Sequence, residues 1–445
     1  MDRRLDLALV CLLLVAIGPI VPWLTAHESS RYAFTAALTE QSRFEVDDYE
    51  PLLSTDLVRL NGHVYSDKAP GQPILAVPVL AIAEELGADP ATDFRREGNL
   101  GAWSLSLVFS VVPGAALLVL MRRNAARTES ARLAATAAIA LAFGTLLLPM
   151  SSALYAHVFV GALGFGAWHL LSRPGVMTAP ALVGAAVLSA VAVTSEYPMA
   201  GVAAVLAWYV LAHHGWRRAA VFIAPHLLAV GLVVAHSLRV YDRIGTGYSA
   251  KDIGIRDSFG IPNPAHMLRI FFAEKGFMFT PIVIVGAIGL VQAVRHRRSD
   301  IAVPALVVTG FFLLQSGWVN PWGGETAGPR YMIPSMPFLV VPVASMLPAL
   351  TPRIRTALIS LGMVSMGLVV VTLPLVLTGE TLIVGHLRNI DRFGLNPTLF
   401  TMAFGPLGWV LHLGLVGVAV AAVRRYWPTD GADRSAPDAD LAAAG

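Results

Sequence analysis

Charge is scarce in this chain. Only 14% of its 445 residues are Asp, Glu, Lys or Arg, whereas 56% are hydrophobic and the mean hydropathy is +0.64. A water-soluble globule of that balance would expose far too much apolar surface, so lipid is the solvent for most of the chain. Cysteine is nearly missing too. Cys11 stands alone inside the first apolar run, which excludes an intrachain disulfide, a disulfide-stapled external domain and dithiol redox chemistry. Lysine is confined to Lys68, Lys251 and Lys275, and arginine supplies the other bases. The net charge of +3 is small and its bases sit in short clusters between apolar runs, which argues against nucleic acid as a partner. No internal repeat is visible, so an inverted-repeat transporter finds no support in sequence symmetry.

What the chain does have is a series of long apolar runs. Crossing roughly 30 Å of hydrocarbon takes about 20 helical residues. About twelve runs meet that need, at 7–24, 100–121, 133–151, 154–171, 179–195, 197–212, 219–238, 276–294, 301–319, 331–350, 357–379 and 399–423. The expected fold class is therefore an all-α integral membrane protein. The apolar stretch 73–83 is too short to span and reads as an interfacial helix. Leaving it out gathers Arg3/Arg4, Arg122/Arg123, Arg217/Arg218, Arg295/Arg297/Arg298, Arg353/Arg355 and Arg424/Arg425 on one side, which the positive-inside rule makes the cytoplasm. Both termini then face inward, with the first span a retained signal-anchor. One polytopic domain covers 1–428, with a long first external loop at 25–99 and further external loops at 239–275, 320–330 and 380–398. A tail at 429–445, rich in Asp, Ala and Pro, reads as disordered and cytoplasmic.

The acids and unusual polar residues collect in those external loops. Directly after the first span comes His27-Glu28-Ser29-Ser30-Arg31-Tyr32. A carboxylate there, partly desolvated, suits a general base, and a solvated helix-end charge is the plain alternative for Glu28. Asp47 and Asp48 form a second acidic station. Asn61-Gly62-His63-Val64-Tyr65-Ser66-Asp67-Lys68-Ala69-Pro70 ends in turn residues that hold Asp67 and Lys68 at the interface, where a lysine suits a lipid phosphate. Glu196 lies between two apolar runs. The segment Trp318 to Tyr331 offers Glu325, flexible glycines, Arg330 for a bidentate phosphate contact, and Tyr331, while its tryptophans fit an interfacial belt. His157 is a weaker candidate near the external end of its run.

These motifs resemble a known family. Glu28-Ser29-Ser30-Arg31-Tyr32-Ala33, then Asn61 to Pro70 followed by a short apolar helix, and Arg330-Tyr331-Met332-Ile333-Pro334 resemble the C-type membrane glycosyltransferases of glycosyltransferase family 39, which include protein O-mannosyltransferases and lipid A aminoarabinose transferases. The resemblance implies inverting transfer of a sugar from a polyprenyl-phosphate donor to a cell-envelope glycan, lipid or protein, at the external face of the plasma (inner) membrane. It assigns catalysis to Glu28, or to Asp47 or Asp48 if the loop folds back. Donor and acceptor contacts fall to Arg31, His63, Asp67, Lys68, Glu196, Glu325, Arg330 and Tyr331. It also implies a divalent metal at Asp67. Two departures stand out: Glu28 and Ser29 replace the family's Asp-Glu pair, and Ala69 replaces a proline. A multi-span transporter or lipid-sugar flippase and a non-catalytic scaffold of an envelope-synthesis complex are the other readings.

Overall fold

The computed structural model describes residues 2–90, 99–250, 260–377 and 379–428; the tail 429–445 and Lys251 lie outside that range. Helix α1 (Arg3–Ile17) starts on the side chain of Asp2, which accepts the Arg4 N–H at 2.8 Å. It stops well short of the expected 7–24 span. Pro19 has no N–H to give Val15, and the Val15 carbonyl lies instead 2.8 Å from His412 Nε2 on the last helix. From there the chain runs to Thr25 beside the segment 396–399, with Val21 N–H donating to Pro397 O at 2.9 Å and Leu399 N–H to Pro19 O at 2.8 Å.

The long segment after α1, expected from sequence to be the first external loop, contains α2 (Ala26–Gln41), a hairpin of β1 (Leu57–Leu60) and β2 (His63–Ser66), and α3 (Gly71–Glu85). The remaining helices follow as α4 (Leu100–Ala125), α5 (Ala131–Gly144), α6 (Ala156–Leu171), α7 (Ala179–Ser195), α8 (Met199–His214), α9 (Trp216–Tyr241), α10 (Pro264–Phe272), α11 (Ile282–Arg295), α12 (Ala302–Gly317), α13 (Arg330–Ala349), α14 (Pro352–Val370), α15 (Leu382–Phe393) and α16 (Leu407–Arg425). The all-α class holds, the two-stranded hairpin aside. Among the described residues, α4, α9, α13, α14 and α16 are long and apolar enough to cross a membrane, and the pair Pro264–Phe279 and α11, bent by 119°, makes a sixth if read as one span. The other apolar helices, α5 to α8 and α12, have 14 to 17 residues.

Several expected runs are interrupted, most often where proline withdraws a backbone donor. The run 133–151 breaks after Gly144, ahead of Pro149; 276–294 opens with a short 3-10 turn at Phe277–Phe279 and becomes α-helical only after Pro281; and 399–423 is split at Gly405-Pro406. The run 357–379 leaves its helix after Val370, whose carbonyl takes a 2.8 Å hydrogen bond from Asn396 Nδ2. Large apolar side chains stay exposed on the helix faces, such as Leu227 (70%), Leu228 (68%) and Val418 (68%), as a lipid-facing bundle requires.

The bundle has two chemically different ends. At one, Asp6 of α1 accepts from Arg122 Nε at 2.7 Å and Arg123 Nε at 2.8 Å, and Arg298 pairs with Glu129 at 3.7 Å. The other end carries the first loop and the segments 318–330 and 371–398. The stretch 73–83, expected as interfacial, lies within α3, which packs on α2, α4 and α7.

Candidate active site

The site is assembled by the first loop. Asn61 and Gly62 both take positive φ (53° and 84°), the geometry of a two-residue I′ turn, and this sets an antiparallel register of Leu57 opposite Ser66. One step further along that ladder, Asp56 comes opposite Asp67. The Lys68 ammonium lies 2.7 Å from Asp56 Oδ2 and 2.9 Å from Asp67 Oδ1, with the lysine 2% exposed and Asp67 wholly buried. Ser30 and Ser66 hydroxyls bond at 2.8 Å, and Tyr241 donates to Ser66 O at 2.8 Å, so α2 and α9 clamp the end of the hairpin. Gly247 has its backbone against Asp67; a Cβ there would meet Asp67 Cα at 2.4 Å.

Arg31 ties three elements together. Its guanidinium donates to Gln72 Oε1 at 2.9 Å and to Glu196 at the end of α7, and its Nε lies 3.3 Å from His27 Nε2. His157 Nδ1 stands 3.8 Å from Glu196 Oε1. The ring of His27 stacks on Tyr155 at 4.6 Å, and its Nδ1 is 3.5 Å from Asp56 Oδ2. Burial, and then the Lys68 charge, hold His27 well below its ordinary pKa, so the ring is neutral. Burial works against charge on Asp56, yet the His27 contact and Lys68 outweigh it and keep that carboxyl well below the usual carboxylate range. Arg330 completes the ring of polar groups, its Cζ 5.9 Å from the Tyr155 ring and 5.3 Å from the Tyr331 ring. Tyr331 meets His157 edge-on at 5.8 Å.

Three stretches singled out from sequence thus converge: the Glu28–Arg31 segment, Asp67-Lys68, and Arg330-Tyr331, with Glu196 and His157 between them. Other candidates are placed elsewhere. Glu28 is buried as a helix cap, its Oε2 accepting the Thr25 N–H at 3.0 Å and its Oε1 the Leu154 N–H at 3.1 Å. Its burial pushes the pKa from 4.5 up to about 7. Asp47 braces the hairpin tip, with His63 Nδ1 at 2.7 Å and the Val64 N–H at 2.6 Å, and Asp48 accepts from Gln41 Nε2 at 2.7 Å. At about 3.3 Å per strand residue, that tip is roughly 10 Å from Ser66. Glu325 pairs with Lys275 at 3.7 Å, and Lys275 donates to Val376 O at 2.5 Å and lies 5.9 Å from the Trp322 ring.

The residues that sequence reasoning passed over are Asp56, His27, Tyr155, Gln72 and Tyr241. For Asp56 the signal was present: an Asn-Gly turn flanked by apolar residues implies the hairpin, and counting back from it pairs Asp56 with Asp67. For a metal at Asp67 the fit is poor. Among the described residues no group of three or more His, Cys, Asp and Glu converges, and a lysine ammonium already bridges the two carboxylates.

No protein-family description matches the chain and no curated protein does. Among solved structures it superposes on ArnT from Cupriavidus metallidurans in the apo state with a TM-score of 0.52 at 16% identity, over 94% of this chain and 74% of that one. The same protein bound to undecaprenyl phosphate gives 0.51 at 15%, over 95% and 77%. The Archaeoglobus fulgidus oligosaccharyltransferase in its apo form gives 0.45 at 10%, over 98% and 58%. The likeness to ArnT is one of fold, and it extends over nearly the whole of this chain.

Proposed function

We propose that this protein is an integral membrane glycosyltransferase that moves a sugar from a polyprenyl-phosphate donor to an acceptor hydroxyl, with inversion at the anomeric carbon. The observation that carries this reading is where Lys68 stands. A groove of ≈ 640 Å³ between α3, α7 and α9 is lined by Ile74, Leu75, Val191, Leu228 and Leu232 and runs up to Pro70 and Gly71, which follow Lys68 and Ala69 in the chain. Such a groove suits an isoprenoid chain, and the ammonium of Lys68, buried two residues before Pro70 in the chain, suits the phosphate. ArnT has been solved with undecaprenyl phosphate bound, which agrees with a donor of this class.

A polyprenyl phosphate is already a good leaving group. The protein must neutralise the charge that develops on the departing phosphate, which Lys68 and Arg330 can do, and must take a proton from the attacking hydroxyl. Arg31, Glu196 and His157 shape the wall on which the sugar rests. We further propose the topology expected from the arginine clusters: twelve crossings within one domain over 1–428, both termini cytoplasmic, the site facing outward from the plasma (inner) membrane, and an acceptor from the cell envelope. The test is product formation by the purified protein in lipid from radiolabelled undecaprenyl-phosphate sugars. Transfer by the wild type, lost at least 100-fold in Lys68→Ala, supports the reading; no product from any donor with folded protein overturns it.

A further inference from the structure

The acids nominated from sequence do not face the place where a hydroxyl would attack. Both oxygens of Glu28 are taken by backbone N–H groups, and Asp47 and Asp48 brace the far end of the hairpin and its flank. Three described carboxylates border the polar cluster: Asp56, Asp67 and Glu196. Asp67 is wholly buried, and Glu196 is joined to Arg31 with its side chain 15% exposed. Asp56 is the most accessible, its side chain 23% exposed, and it touches Lys68 directly.

Resting on the glycosyl-transfer reading, we propose that Asp56 is the carboxylate that takes the acceptor's proton, and that Lys68 holds it in check until the donor phosphate arrives. The acceptor oxygen bonds to the anomeric carbon as the carbon–oxygen bond to phosphate breaks. The leaving polyprenyl phosphate keeps that electron pair, and the hydroxyl proton passes to Asp56 and then to water. Before the donor binds, the Lys68 ammonium at 2.7 Å neutralises Asp56 and makes it a poor base. A phosphate entering beside Lys68 competes for the same ammonium. As the lysine turns toward it, Asp56 loses its nearest cation and becomes more basic, just when a sugar stands ready to be attacked. Asp67, 2.9 Å from the same ammonium, keeps the lysine within reach of both partners. The order of binding follows: donor first, acceptor second.

The experiment uses the full chain in lipid nanodiscs, measuring undecaprenyl-phosphate binding alongside turnover of radiolabelled undecaprenyl-phosphate sugars. Asp56→Asn is expected to lose turnover at least 100-fold while binding undecaprenyl phosphate as tightly as the wild type or more tightly, because the phosphate no longer competes with a carboxylate. Retained binding also certifies that the variant is folded. Lys68→Ala is expected to lose both. Added formate, standing in for the missing carboxylate, is expected to restore Asp56→Ala turnover at least tenfold. Turnover by Asp56→Asn within tenfold of wild type would overturn the proposal. So would a loss of binding in Asp56→Asn equal to that of Lys68→Ala, which would make Asp56 only an anchor for the lysine. An inactive wild type with every donor would instead sink the glycosyl-transfer reading itself, and the assignment with it.

Discussion

At the scale of single residues, two carboxylates of the first loop, Glu28 wholly buried and Asp56 partly exposed, serve opposite ends because of what each faces. Glu28 has no cation beside it and gives both oxygens to backbone donors, whereas Asp56 faces a lysine and a neutral histidine. Glu28→Ala would strand two buried N–H groups, those of Thr25 and Leu154, at about 1–3 kcal/mol each, and is expected to lower the midpoint of thermal unfolding by several degrees. Its pKa is raised on folding to about 7, so its contribution to stability is full below the unfolded value near 4.5 and fades as pH rises through 7. Unfolding midpoints for wild type and Glu28→Gln between pH 5 and 8.5 should therefore move against the wild type with rising pH; parallel curves would show that this carboxyl does not titrate in that range. Sequence position singled out Glu28 as a candidate base, and the structure puts both of its oxygens on backbone donors. What it could not supply was direction, since capping and catalysis call for the same residue type at a helix start.

At the scale of elements, the site depends on short devices that set where longer pieces end. Arg330 and Tyr331 open α13 after the Gly323-Gly324 bend, where both glycines take positive φ (77° and 119°). A Cβ on Gly323 would come 2.8 Å from the Tyr331 ring and 3.1 Å from Arg330 Cγ. Gly323→Ala thus carries a backbone penalty of about 1–2 kcal/mol and a steric push on both side chains. It should cut turnover at least tenfold with little change in expression or unfolding temperature, as assayed beside wild type in the same lipid. Full activity would mean that the bend does not position Arg330. The hairpin teaches a related lesson. Its Asn-Gly turn, its register and therefore the meeting of Asp56 with Asp67 were all readable from residues 56–67, but an all-helical expectation drawn from hydropathy hid a strand pair only eight residues in extent. Hydropathy also found the apolar runs and missed their breaks, because Pro19 and Pro149 leave average polarity untouched while removing the hydrogen bond that continues a helix.

For the molecule as a whole, the bundle's two ends differ in chemistry more than any helix differs from another. Hydropathy and arginine spacing were enough to foresee a helical membrane protein with its polar residues at one end. The site itself was legible only in pieces, since Arg31 and Glu196 are 165 residues apart and nothing local announces that they meet. On the proposed function, the side of the membrane that the first loop faces decides from where a lipid-linked sugar would reach Lys68. On the proposed topology, the positive-inside rule would put the Arg122, Arg217 and Arg424 end in the cytoplasm and the first loop outside. With Cys11 replaced by serine, a single cysteine can report this directly. Ser54 and Arg217 are both exposed, the first in the first loop and the second at the start of α9. Ser54→Cys is expected to react with a membrane-impermeant maleimide in intact cells, and Arg217→Cys only after permeabilisation. The reverse pattern would turn the bundle over, place the polar cluster on the cytoplasmic side and require a donor presented there, even with every distance in the site unchanged.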